Sequence, residues 1–250
     1  MKICSLEIIA APFGSPVVLH PTLIESGSEV ILVDCGYSGS LDSIEAQLKW
    51  HSLTVKDLTT VIITHDDIDH VGGLFELQRV NPKLKVATSA IEAPFVEGKL
   101  KSMRLAQAEQ AMDKIPREMI DWALAFQREL RAIKRVPVDR CLHEGQFDDS
   151  VQVVNTPGHT PGHISLYIPS SRTMIAGDAV VLEDGELNIA NPQFTMDLGQ
   201  AIESARKLAD FVIDELHCYH GGVLTIDVNK KIIELIDRYQ EHKLISEKVY

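Results

Sequence analysis

The stretch Thr59-Thr60-Val61-Ile62-Ile63-Thr64-His65-Asp66-Asp67-Ile68-Asp69-His70-Val71-Gly72-Gly73 joins two kinds of sequence. Its first half is a short β-branched run and predicts a buried strand. Its second half packs histidines and aspartates into one short loop and closes on two glycines, which let a backbone turn sharply around a bound ion. The same arrangement recurs further along the chain. Gln152-Val153-Val154-Asn155-Thr156 precedes Pro157-Gly158-His159, Thr173-Met174-Ile175-Ala176 precedes Gly177-Asp178, and Glu215-Leu216-His217-Cys218 precedes Tyr219-His220-Gly221-Gly222. Each puts a His or Asp just past a strand-like run and beside glycine. Side chains at strand ends converge on one sheet edge. Imidazole and carboxylate are the donors a divalent first-row metal takes, and the seven groups His65, Asp67, Asp69, His70, His159, Asp178 and His220 are enough for two ions.

The rest of the chain reads as one α/β domain over residues 1–250, with no repeat, low-complexity tract or linker. Glu29-Val30-Ile31-Leu32-Val33-Asp34-Cys35-Gly36 is a further buried strand ending in a glycine loop. Helices are expected from Ser40 or Asp42 to Trp50, at Leu198 to Leu208, and near Val228 to His242. Between Met103 and Ile133, apolar residues recur at 112, 115, 119, 122, 126, 130 and 133, the helical period. Pro116 splits this stretch or starts its second helix. Residues 103–135 therefore read as a helical segment that packs on the domain as a lid or pocket wall.

The chain has 250 residues, 24 Lys+Arg and 36 Asp+Glu, a formal charge of −12. Such acidity argues against nucleic acid or an anionic membrane as partner, because phosphate binding needs clustered positive charge. Hydrophobic residues make up 45% and charged residues 24%, which excludes wholesale disorder. No apolar run nears the roughly 18 residues of a spanning helix, and Glu7 interrupts any signal-like start, so a cytoplasmic protein is expected. Cys4, Cys35, Cys141 and Cys218 form no CxxC pair and read as reduced thiols, mostly core residues. Asp66 is expected to face solvent or cap a backbone group, His217 and Cys218 to be structural, and Asp34 to be a carboxylate that holds a ligand histidine in its tautomer.

Thr64-His65-x-Asp67-x-Asp69-His70-x-Gly72-Gly73, Thr156-Pro157-Gly158-His159-Thr160-Pro161-Gly162-His163, Gly177-Asp178 and His220-Gly221-Gly222 together resemble the metallo-β-lactamase-fold hydrolase superfamily. The likeness runs from the Val33–Gly36 segment to His220. It implies an αββα sandwich with a dinuclear site along one edge. One metal would take His65, residue 67 and His159. The other would take Asp69, His70 and His220, with Asp178 bridging, and His163 would be structural or hold a ligand in place. One position departs from the family pattern, which is usually H-x-H-x-D-H; here Asp67 stands where the second His belongs. A diiron branch of the fold, the flavodiiron proteins, likewise puts a carboxylate there. Two divalent ions carry +4 and Asp67, Asp69 and Asp178 carry −3, leaving +1 where a His at 67 would leave +2. An oxygen-rich, more anionic shell favours harder ions, so manganese and iron stand beside zinc. The alternative is a first site disabled by Asp67, with one metal bound or none.

The chemistry implied is hydrolysis of a small-molecule ester, thioester, lactone, amide or phosphoester by metal-activated water, with Asp69 orienting the nucleophile or moving a proton. Two other readings remain. One is a mononuclear iron oxidoreductase of the persulfide-dioxygenase type, the other a non-catalytic small-molecule sensor. The glyoxalase II type usually carries Gly-His-Glu-Tyr-Thr at the last ligand, and quorum-quenching lactonases a Tyr three residues after the bridging Asp, here Val181. A monomer or homodimer is expected.

Overall fold

The computed structural model describes residues 1–148 and 150–247, with every side chain among them except those of Gln146 and residues 241–247; His242, for which no role was expected, lies outside the described side chains. The chain forms two compact units, Met1–Cys141 and Leu142–Tyr250.

The N-terminal unit runs β1 (Lys2–Ser5), β2 (Ile8–Ala10), β3 (Val17–Leu19), β4 (Thr22–Ser26), β5 (Glu29–Val33), α1 (Leu41–Trp50), β6 (Thr60–Ile63), α2 (Ile68–Val71), α3 (Leu74–Val80), β7 (Lys85–Ser89), α4 (Ala93–Val96), α5 (Met103–Gln110), α6 (Ile120–Ala132) and β8 (Arg140–Leu142). Its main sheet has the order β1-β4-β5-β6-β7-β8. The β4–β5 hairpin closes over Gly27-Ser28, with Ser26 opposite Glu29. β5, β6 and β7 run parallel. Their burial deepens toward their carboxyl ends, as expected where apolar β-branched runs are covered on both faces. Those ends feed the loops at 34–40 and 64–73, the place where parallel sheets present ligand-binding side chains.

Helix α1 covers the predicted span and buries Ile44 and Leu48. The periodic stretch resolves into α5 and α6. Pro116 falls between them, where its missing N–H costs nothing, and heads a short 3-10 turn at Arg117–Met119.

The C-terminal unit runs β9 (Gly145–Gln146), β10 (Gln152–Asn155), β11 (Ile164–Ile168), β12 (Thr173–Gly177), β13 (Val181–Glu183), β14 (Glu186–Asn188), α7 (Leu198–Leu208), β15 (Glu215–Cys218), β16 (Gly222–Leu224) and α8 (Val228–Glu247). Its sheet order is β16-β15-β12-β11-β10-β9. β12 and β15 are parallel, with a register shift between Ile175 and Gly177 just before Asp178. Helix α7 buries Ala201, Ser204, Ala205 and Leu208, and α8 buries Val228, Ile232, Leu235 and Ile236; both faces join one core with Met174, Ala176, Leu216 and Cys218. The Asp197 carboxylate caps α7 by accepting from Gln200 N at 2.9 Å. Among the described residues no helix is long and apolar enough to cross a membrane. The four cysteines are free; Cys35 and Cys218 are buried, Cys4 is half-buried and Cys141 is exposed.

Candidate metal centre

The candidate ligands fall into two sets, one in each unit. In the N-terminal unit, β6 delivers Thr64 and His65 to the loop, and α2 carries Asp69 and His70. The turn of Gly72-Gly73 is sterically required: a Cβ on Gly73 would lie 2.3 Å from Cys35 O, and one on Gly72 would lie 2.5 Å from Ile68 O and Ser38 N. The glycines let the metal loop pack against the 35–38 loop, where Cys35 N donates to His70 O at 2.9 Å.

Asp34 organises this set. Its backbone is left-handed (φ 61°), a conformation that Asp tolerates better than most residues. Its Oδ1 accepts from Thr64 N at 2.8 Å, and its Oδ2 accepts from Thr64 Oγ1 at 2.8 Å and from His70 Nδ1 at 2.9 Å. The Thr64 hydroxyl spends its proton on Asp34, so at 3.0 Å it accepts from His65 Nδ1. One buried carboxylate thus sets the tautomer of both histidines, with Nε2 of each as the atom that accepts. The two rings lie 4.0 Å apart, and both residues are fully buried. His65 Nε2 is 3.4 Å from Asp67 Oδ2, and His70 Nε2 is 3.8 Å from Asp69 Oδ2.

In the C-terminal unit, His159 follows β10, Asp178 follows β12 and His220 follows β15. Asp178 stands between the histidines: its Oδ2 is 3.6 Å from His159 Nε2 and its Oδ1 is 3.5 Å from His220 Nε2. Thr195 Oγ1 donates to Ala190 O at 2.8 Å, so at 3.5 Å it accepts from His159 Nδ1, again leaving Nε2 as the acceptor. His163 uses both ring nitrogens otherwise. Its Nε2 accepts from Asp178 N at 2.8 Å and its Nδ1 donates to Thr156 Oγ1 at 2.9 Å. Thr156 then donates to Ser165 Oγ at 2.9 Å, which donates to Ala176 O at 2.9 Å. This neutral chain anchors the backbone of Asp178. His217 is buried and sits 3.5 Å from Glu215 Oε2; burial holds its pKa below the usual imidazole value, against the pull of Glu215.

The N···O separations within both sets are 3.4–3.8 Å. They are long for hydrogen bonds. Two ligands about 2.0–2.2 Å from one tetrahedral ion stand roughly 3.3–3.6 Å apart, which the His65–Asp67, His159–Asp178 and His220–Asp178 pairs match and the wider His70–Asp69 pair, at 3.8 Å, approaches. The donor sets therefore fit divalent ions by chemistry and by spacing.

Two sequence expectations change here. Asp66 neither faces solvent nor caps a backbone group. It is 2% exposed and paired with Arg135; its backbone N donates to Glu92 Oε2 at 3.0 Å. Burial lifts its carboxyl to about 6, against the opposing pull of Arg135 and Ser102. The charge sum at residue 67 changes too. Arg104, 3% exposed, grips Asp67 with both arms of its fork: Nε to Oδ1 at 3.0 Å and Nη2 to Oδ2 at 2.5 Å. Its +1 restores the sum that a neutral histidine would give. Arg104, Arg135 and Thr195 lie in an amphipathic helix, a loop and a turn, and nothing in their local sequence marks them.

The Metallo-beta-lactamase superfamily model matches residues 20–220 of the chain. The probable metallo-hydrolase YflN of Bacillus subtilis is 28% identical over 212 residues, covering 78% of this chain and 76% of that protein. A metallo-beta-lactamase family protein of Thermus thermophilus superposes with a TM-score of 0.71 at 22% identity, over 96% of this chain and 79% of its own. AidC, a dizinc quorum-quenching lactonase, superposes at 0.59 with 21% identity, over 83% and 75%. The chain belongs to the metallo-β-lactamase superfamily, has its mixed α/β fold and is a metal-dependent hydrolase.

Proposed function

We propose that the enzyme hydrolyses an ester, thioester, lactone or phosphoester bond of a small molecule, and that its His and Asp ligand sets hold two divalent ions, zinc first, with manganese or iron as alternatives. The observation that carries this is the repeated geometry of imidazole Nε2 and carboxylate oxygen at 3.4–3.8 Å, with the Nδ1 of His65, His70 and His159 committed elsewhere. Bound there, the ions would lower the pKa of water and polarise the scissile carbonyl or phosphoryl oxygen. Asp34 keeps His70 directly, and His65 through Thr64, presented in one tautomer. His163 holds the Asp178 backbone in place. The Asp69 carboxylate, half-buried at the start of α2, orients the attacking water and takes its proton.

Room for substrate lies beside the metal loop. A cavity of about 400 Å³ is lined by Pro12 and Phe13, by Tyr37 and Ser38, by Ile68 between the two loop aspartates, and by Glu129 of α6. Phe13 has a left-handed backbone (φ 55°) and packs on Trp122 and Phe126 of α6, with ring centroids 6.1 and 6.0 Å away. The helical segment thereby serves as a pocket wall.

The test is elemental analysis of protein purified without added metal, followed by a panel of ester, thioester, lactone and phosphoester substrates. About two zinc or manganese ions per chain with turnover are expected, and Asp69→Ala should lower kcat/KM by about 10³-fold or more while the fold persists. One iron per chain with oxygen consumption, or ligand binding with no turnover, overturns the reading.

A further inference from the structure

We infer that Glu129 is a specificity-determining residue: it selects a substrate that carries a positively charged ammonium group, seated in the cavity lined by Phe13, Ser40 and Glu129. This deepens the hydrolase reading above and rests on it.

The charge of the lining sets the preference. Glu129 is exposed on α6 and lines the cavity, and among the described residues it has no hydrogen-bond or ion-pair partner. No Lys, Arg or His is among the described residues that line it. The backbone N–H groups that open α1 are spent: Gly39 N donates to Glu76 Oε1 at 3.1 Å, and Ser40 N donates to Tyr37 O at 3.1 Å. An anion placed here would meet a carboxylate and no cation. An ammonium would meet a carboxylate with no other partner.

The aromatic side chains favour the same ligand. Trp122, Phe126 and Glu129 recur at helical spacing and share one face of α6. The Trp122 and Phe126 rings stack with centroids 5.4 Å apart, and Phe13 packs on both from the cavity wall. Phe13 holds its left-handed backbone at a cost that a bulky residue bears only where the surrounding fold enforces it, as at ligand sites. Phe13 and Trp122 still keep 44% and 40% of their surface exposed. Ring faces beside a carboxylate are the chemistry that holds an ammonium group, substituted ones included. Ser40 offers a second polar contact. It stands at the N-cap of α1, where a serine hydroxyl ordinarily bonds its own helix. Here it does not: Ser40 is 3% exposed and its Oγ has no hydrogen-bond partner. That hydroxyl is left for a molecule that enters the cavity. Ile68, between Asp67 and Asp69, lines the same cavity, so a substrate seated there has one end beside the metal loop.

The experiment compares acetylthiocholine with its uncharged carbon isostere, 3,3-dimethylbutyl thioacetate, on the metal-loaded enzyme. Wild type should favour the cation by about tenfold or more in kcat/KM. Glu129→Gln should bring that ratio to within about threefold of one, through KM rather than kcat. Salt at about 0.5 M should lower the ratio in wild type, because an exposed carboxylate is screened. Glu118→Gln, which removes the same charge from the exposed turn before α6, should leave the ratio as it is. Calorimetry with choline and 3,3-dimethylbutanol is a second readout that needs no turnover: wild type should bind choline about tenfold more tightly, and Glu129→Gln should lose that preference. Equal hydrolysis of the two esters by wild type, or a preference that survives Glu129→Gln, overturns the inference and leaves the hydrolase reading standing. Choline binding that depends on Glu129, with neither ester hydrolysed, supports the ammonium site and counts against the hydrolase reading. No hydrolysis and no choline binding overturns the inference.

Discussion

The two ligand sets offer the same atoms to a metal and are held in opposite ways. In the N-terminal unit the scaffold is ionic: Asp34 anchors His70 and, through Thr64, His65, while Arg104 grips Asp67 and Arg135 pairs with Asp66. In the C-terminal unit the bonds described are neutral: Thr195 orients His159, and the chain from His163 through Thr156 and Ser165 to Ala176 O fixes the Asp178 backbone. The physical difference is in the cost of loss. Removing the Asp34 carboxylate strands three buried donors at once, whereas removing a neutral link such as His163 strands two polar groups.

The largest effect should follow removal of Asp34. Asp34→Ala strands Thr64 N, the Thr64 hydroxyl and His70 Nδ1 together, and at about 1–3 kcal/mol for each buried donor left without an acceptor it should destabilise the protein by about 3–5 kcal/mol in chemical denaturation. It should also weaken zinc binding 10–100-fold by freeing the imidazoles to rotate. His163→Leu is the matching cut in the other unit. It removes the acceptor of Asp178 N and the donor to Thr156, and should cost about 1–3 kcal/mol. Should His163→Leu prove the costlier of the two, the contrast between ionic and neutral scaffolds fails.

The smallest effect sharpens the comparison away from the ligands. His217 is buried in the C-terminal unit, and burial holds its pKa below the usual imidazole value of about 6.5. Because the folded pKa is the lower one, its neutral form stabilises the fold fully above pH 6.5, and that contribution is lost as pH falls from there through the folded pKa. His217→Leu should therefore flatten the acid limb of the stability curve between pH 7 and 5, as read by denaturation midpoints. An unchanged acid limb would show that burial of this imidazole does not govern it.

The amino-acid sequence by itself determined the strands that carry the ligands, the glycines that turn the loops, the helices α1, α7 and α8, and the break at Pro116. These follow from period, β-branching and backbone freedom, which act over a few residues. Weakly patterned elements escaped it, among them β2, β7 and the short hairpin β13–β14. Their pairing is decided by what the neighbouring chain offers rather than by their own alternation.

Tertiary structure alone decided which charges meet. Arg104 lies 37 residues from Asp67 and Arg135 lies 69 from Asp66, while Thr195 lies 36 from His159. No local rule selects those partners. An arginine on an amphipathic helix looks the same in sequence whether it ends in water or on a buried aspartate, because the energy that fixes it comes from desolvation and geometry that exist only once the chain has folded.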